Sequence, residues 1–361
     1  MPPSSASLPR WSWLFPLLAW LVVLLSLGLP PSIPFLVVVG AVLGAVVFAA
    51  VHHAEVIAHR IGEPFGTLVL AVAVTVIEVA LIVSVMLSGG PEKAGLARDT
   101  VYAAVMIVCN GIVGICLLIG GWHHREQGFQ IFGASAAMGV LTVLAVMTLV
   151  LPNFTRTVDG PMLATSQLAF VGIASLVLYC VFVFVQTVRH RDYFLLAGSS
   201  DESLHASPPP TRTALLSLAL LLVCLVAVVL LAKLLSPAIE AVVARAGAPA
   251  AVVGIVIAAL VLLPEGLAAL RAARLDRLQT SINLALGSAL ASIGLTIPTV
   301  AAVFIYTGQP LELGLAPKEM VLLSLTLLVG GMTLATGRTT IMQGAVHLAI
   351  FAAFLFLSVV P

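Results

Sequence analysis

Cut at its charges, prolines and glycines, the chain falls into eleven apolar runs: residues 11–29, 33–51, 65–87, 100–120, 131–151, 162–186, 214–235, 248–270, 281–306, 319–335 and 340–359. A helix of about 20 residues crosses the roughly 30 Å hydrocarbon core of a bilayer. Backbone groups in lipid find no water, so each run must satisfy its own hydrogen bonds, which makes it a helix. Only 9% of the residues are charged and 61% are apolar. Soluble domains carry about 25% charge, so most of this exterior must face lipid. The expected fold is all-α and polytopic, with about 11 transmembrane helices.

The formal net charge is +1, and no broad basic or acidic face points to nucleic acid. Cys109, Cys116, Cys180 and Cys224 all sit inside apolar runs without Cys-x-x-Cys spacing. Neither a disulfide framework nor a zinc site is implied. Arg10 precedes the first run as it would in a signal peptide. That run is longer than the usual 7–15 residues or so of an apolar signal core, and no Ala-x-Ala follows it. It reads as a retained first span.

A polar linker, residues 188–212, contains Asp192, Asp201, Glu202 and the run Pro208-Pro209-Pro210. It divides the chain into six helices and five. With the first helix (residues 1–30) set aside, residues 31–187 and 213–361 each carry five. An odd number of spans forces the two blocks into opposite orientations, the inverted-repeat arrangement that places ion sites near the bilayer midplane. Sorting the loops by side puts ten basic residues (Arg10, Arg60, Arg125, Arg189, Arg191, Arg212, Arg271, Arg274, Arg277, Arg338) with the N-terminus and linker. The other side has six: Lys93, Arg98, Arg156, Lys233, Arg245 and Lys318. The excess predicts a cytoplasmic N-terminus and linker.

Two acids lie deep in predicted spans. Glu78 and Glu265 each fall in the second helix of a five-helix block. A charge at the centre of a membrane helix costs at least about 2.5–3.5 kcal/mol, and no Lys or Arg lies mid-span to pair with either. Two carboxylates facing one low-dielectric cavity hold a hard cation when ionised. Desolvation and mutual repulsion drive them to take up protons when the cation leaves. Cation and proton then exclude each other, which is the physical core of antiport.

Residues three and four apart share a helix face. Thr67, Ala71, Thr75 and Glu78 form one stripe, and Gly254, Ala258, Val261 and Glu265 the corresponding one. Pro264, directly before Glu265, is expected to break the backbone ladder and free a carbonyl. Ser281, Ala285, Ser288, Ser292 and Thr296 line one face of the ninth run, and Asn110 is the polar group of the fourth. Thr336, Thr340, Gln343 and His347 share a face of the last. His52, His53, Glu55 and His59 cluster after the second run without the His-Glu-x-x-His spacing of a metalloprotease. They read as an interfacial helix end or as a cytoplasmic pH or cation sensor.

Several stretches resemble bacterial calcium/proton antiporters of the ChaA type, within the calcium/cation exchanger superfamily. They are Gly62-Glu63-Pro64-Phe65-Gly66-Thr67-Leu68-Val69-Leu70 through Ile77-Glu78-Val79, Arg98-Asp99-Thr100-Val101-Tyr102, and Pro264-Glu265-Gly266-Leu267. Gly287-Ser288-Ala289-Leu290-Ala291, Thr296-Ile297-Pro298, Thr336-Gly337-Arg338-Thr339-Thr340 and Gly344-Ala345-Val346-His347-Leu348-Ala349 continue the likeness in order along the chain. The resemblance implies one extra helix plus two inverted five-helix repeats, with Glu78 and Glu265 as the cation-binding glutamates. The wider family carries Gly-Asn-x-x-Glu in each repeat. Here Val74 and Val261 hold the Gly positions, and Thr75 and Leu262 the Asn positions. Calcium takes six to eight oxygens; Thr75 can supply one and Leu262 none, so carbonyls near Pro264, Ser288, Ser292 and water are expected to make up the count, with Thr67 and Asn110 as further polar lining.

The function expected is a proton-coupled secondary antiporter of the bacterial inner membrane that exports Ca2+, or alternatively Na+ and K+. A passive cation channel and an intramembrane enzyme built on the His52–His59 cluster are the rivals. No resident cofactor is expected, only transported cations and protons. No phosphate loop supports ATP-driven pumping.

Overall fold

The structure is a computed structural model. It describes residues 8–28, 32–62, 65–89, 93–195, 209–245, 247, 249 and 251–360, without the side chains of 65–71 and 88–89. Among the described residues, eleven long apolar helices run in chain order: α1 (Arg10–Ser26), α2 (Ile33–Ile61), α3 (Phe65–Gly89), α4 (Leu96–His124), α5 (Ile131–Phe154), α6 (Thr165–Arg189), α7 (Thr211–Arg245), α8 (Ala251–Arg274), α9 (Leu278–Thr307), α10 (Pro317–Leu334) and α11 (Ile341–Val359). Among the described residues, nine helices are long and apolar enough to cross a membrane, and Arg10–Ser26 and Val72–Leu87 are shorter apolar helices. The predicted runs recur in order, and the chain is a multi-pass membrane protein.

Helix ends depart from the apolar runs. Helix α2 continues ten residues past Val51 to Ile61, carrying its histidines into the helix, and α7 extends past Leu235 through Pro237 to Arg245. Apolarity marks the lipid-buried stretch, whereas hydrogen bonding carries a helix on into polar surroundings until a terminator intervenes. Gly62, at φ 78°, ends α2, a conformation that costs glycine least.

The chain forms two compact units that cut across the five-helix blocks. One contains residues 1–85 and 200–242, the other residues 86–199 and 243–361. In the first unit, α1 is held by Trp20, whose Nε1 donates to Val223 O at 3.3 Å, and by His53, whose Nε2 donates to Ser12 O at 3.0 Å. Arg60 donates to Thr211 Oγ1 at 2.9 Å and ties α2 to α7.

In the second unit the loops sort to two ends. At one end, β1 (Gln127–Gly128) pairs antiparallel with β2 (Arg338–Thr339). Gln127 Nε2 donates to Asp276 Oδ1 at 2.8 Å, and Asn283 Nδ2 donates to Phe194 O at 2.6 Å. At the other end, Arg98 donates to Gly314 O at 3.3 Å and Leu313 N donates to Pro161 O at 3.1 Å. Loops therefore alternate sides as the charge sorting expects. Arg125, Arg189, Arg191, Arg271, Arg274, Arg277 and Arg338 share one end, facing Lys93, Arg98, Arg156 and Lys318 at the other. The third, fourth and fifth helices of the two blocks (α4 and α9, α5 and α10, α6 and α11) run in opposite directions.

Candidate cation site

Glu78 lies fourteenth of the 25 residues of α3, at the middle of the span, and its side chain is 3% exposed. Thr75, one turn before it, is also buried, as are Val74 and Ile77. The described part of the stripe predicted around Glu78, Thr75 and Glu78 itself, is thus buried. Thr67, its other hydroxyl, lies outside the described side chains.

Glu265 belongs to the second unit and sits fifteenth of the 24 residues of α8. Gly254 and Ala258 of its stripe are buried against α4. A Cβ on Gly254 would meet Thr100 N at 3.0 Å and Asp99 Cβ at 3.1 Å, and one on Gly266 would meet Ile112 Cδ1 at 3.1 Å. These contacts make α4 and α8 parallel neighbours, in a register that sets Glu265 level with Asn110 and Gly111. The small residues serve close helix approach, and one carboxylate oxygen of Glu265 is fully buried.

The expected break at Pro264 does not occur, since α8 is continuous from Ala251 to Arg274. Proline removes only its own N–H, and the packed neighbours hold the rest of the helix in line. Irregular backbone occurs elsewhere, at Val146–Val150 of α5 and Val185–Arg189 of α6 and in the third helix of each block. Residues Ile107–Ile112 of α4 and Ser292–Thr296 of α9 form π turns, which widen the ladder and favour functional sites. The sequence signal was present in Asn110, Gly111, Ser292 and Gly294, although apolar periodicity does not distinguish a π turn from an α turn. Ser292 and Thr296 are buried in the α9 segment and Ser288 is half-buried one turn before it.

Asn110 anchors a buried network that sequence reading reached only in part. Its Nδ2 donates to Thr326 Oγ1 at 2.8 Å, and Thr326 Oγ1 donates to Leu322 O at 2.7 Å. Asn110 Oδ1 is then the acceptor for His347 Nδ1–H at 3.2 Å, and His347 Nε2 meets Thr333 Oγ1 at 3.1 Å. The network joins the π turn of α4 to α10 and α11 and engages both ends of the Asn110 amide. Thr326 and Thr333 escaped notice because a hydroxyl in an apolar run gives no sign of its partner. A buried partner left unsatisfied costs about 1–3 kcal/mol. His347→Leu should therefore lower the unfolding midpoint by several degrees in a thermal scan, with His347→Gln less damaging.

Two members of the His52–His59 cluster, His52 and His53, pack against α1, whereas Glu55 and His59 are exposed. His53 is fully buried on Ser12 O, His52 packs its ring 4.8 Å from that of Trp11, and His52 Nδ1 lies 3.9 Å from Glu55 Oε2. Among the described residues no group of three or more His, Cys, Asp or Glu is placed to hold a metal ion.

The chain matches the profile of the family described as sodium/calcium exchanger protein over residues 31–188 and 216–360. It is 53% identical to the protein y4hA of Sinorhizobium fredii, covering 99% of this chain and 98% of that one. It is 36% identical to the sodium-potassium/proton antiporter ChaA of Escherichia coli, covering 95% and 94% of the two chains. The solved structure of native YfkE superposes with a TM-score of 0.75 at 17% identity over 97% of this chain and 100% of that one, a likeness of fold. By sequence along nearly its full length and by fold, the chain belongs to the sodium/calcium exchanger protein family.

Proposed function

We propose that this protein is a proton-coupled cation antiporter that carries Ca2+ out of the cytoplasm in exchange for H+. Glu78 and Glu265 are its cation- and proton-binding groups, and it works in a bacterial inner membrane with its N-terminus and central linker on the cytoplasmic side. The observation that carries the reading is one acid at mid-span in the second helix of each five-helix block. Thr67, Thr75, Ser288 and Ser292 are the hydroxyls that support a bound cation, with backbone oxygens and water completing its shell. The family's description and the name of the ChaA relative support exchange of metal cations, the latter against protons. The protein is in this reading a secondary transporter, not an enzyme.

A second reading, Na+ or K+ exchange with little Ca2+ activity, is favoured by Leu262. It stands where the family pattern places an oxygen-bearing Asn, and fewer ligands suit a monovalent ion. Everted vesicles loaded with a pH dye and challenged with Ca2+, Na+ and K+ in turn test both readings. Dequenching by Ca2+ at the lowest concentration supports the first, and dequenching by Na+ or K+ alone supports the second. No response to any of the three rules out antiport of these ions.

A further inference from the structure

The last turns of α4 and α8 border an open groove of about 240 Å³ lined by Leu118, Ile119, Trp122, His123 and Arg274. Its walls are apolar except for Arg274 and His123 at the rim. Trp122 is 75% exposed. Arg274 is exposed and makes no ion pair among the described residues. Nearby acids are otherwise engaged: Asp276 Oδ1 accepts from Gln127, and Glu126 lies 3.6 Å from Arg338. His123 Nδ1 donates to Ile119 O at 2.9 Å. Arg271, one turn before Arg274, and Arg277 just after it are also exposed.

We infer that this groove is a binding site for an anionic phospholipid. The site lies where α4 and α8 end, the depth at which tryptophan and arginine mark the membrane–water boundary. An unpaired guanidinium presents a fork that matches two phosphate oxygens. Leu118, Ile119 and the Trp122 indole supply an apolar wall for the first methylenes of an acyl chain. The end of the second unit that carries this groove holds seven arginines against Glu126, Asp192 and Asp276 among the described residues, which favours an anionic over a zwitterionic headgroup. The wall is what separates a lipid from free phosphate, which would use the guanidinium alone.

The test uses the full-length protein in detergent, exposed to phosphatidylglycerol or phosphatidylcholine and read by native mass spectrometry, a measurement independent of transport. Selective retention of phosphatidylglycerol is expected, with a loss of about tenfold in Arg274→Gln, a smaller loss in Arg274→Lys, and no competition from millimolar inorganic phosphate. Equal retention of both lipids, unchanged retention in Arg274→Gln, or displacement by phosphate would overturn the inference. Should Arg274→Gln fail to fold, a form with Trp11, Trp13 and Trp20 changed to Phe reports on Trp122 alone. Brominated phosphatidylglycerol must quench it more than brominated phosphatidylcholine, and equal quenching, or shielding of Trp122 by a second copy of the chain, refutes the site.

Discussion

Glu78→Gln and Glu265→Gln each reduce cation/proton exchange to background while leaving the protein folded, with an unfolding midpoint close to that of the wild type. The two halves of that expectation share one cause. A carboxylate at mid-span is costly in a low-dielectric surrounding, by at least about 2.5–3.5 kcal/mol on insertion scales. Glutamine keeps the shape and, like the protonated acid that the site holds without a cation, carries no charge, so the fold is retained. Function is lost because the amide can neither neutralise a cation nor take up the proton that replaces it. A merely structural glutamate behaves oppositely, with a lowered midpoint and transport impaired only in proportion. Vesicle transport and a thermal scan on the same preparations distinguish the two. Normal proton-coupled flux in either variant would remove that residue from the mechanism.

Gly344→Leu prevents the second unit from assembling. A Cβ at Gly344 would lie 2.8 Å from Leu118 Cα and 2.9 Å from Gly114 O, and it would also strike Leu118 N. These are backbone atoms of α4, which cannot rotate aside as a side chain does. Gly121 of α4 makes the reciprocal approach, with a Cβ there falling 2.7 Å from Ile341 N. The α4–α11 seam is therefore closed by glycine on both helices. Overpacking a core costs about 1–3 kcal/mol when neighbours can adjust and more when they cannot. Separating the helices would also pull His347 away from Asn110, adding the cost of that broken network. Size-exclusion chromatography should show aggregated or absent protein for Gly344→Leu and a folded, less stable species for Gly344→Ala. A wild-type profile for Gly344→Leu would contradict the packing described.

The helices were legible in the sequence because the bilayer demands long apolar runs, and Glu78 and Glu265 stood out because lipid makes a buried acid conspicuous. What stayed hidden depends on partners far away in the chain. The π turns at Ile107–Ile112 and Ser292–Thr296 leave no mark in hydrophobic periodicity. Pro264 suggested a break that the packed surroundings of α8 do not permit. His347 shared a helix face with Thr336, Thr340 and Gln343, and only the fold sets Asn110 and Thr333 on either side of its ring. The histidines after Val51 read as an interfacial helix end or a sensor, and the fold turns one of them, His53, onto the backbone of α1. The two compact units were not legible at all, because they join helices from both blocks.

The account rests on metal and proton competing for the same two acids, and cation binding to the purified protein across a range of pH tests that most directly. If each bound cation displaces protons, its apparent affinity falls as pH falls, by about tenfold per pH unit for each proton released. Protons should also appear in an unbuffered solution on addition of the cation, and both signals should vanish in Glu78→Gln and Glu265→Gln. Cation affinity that is independent of pH, with no proton release, would contradict it.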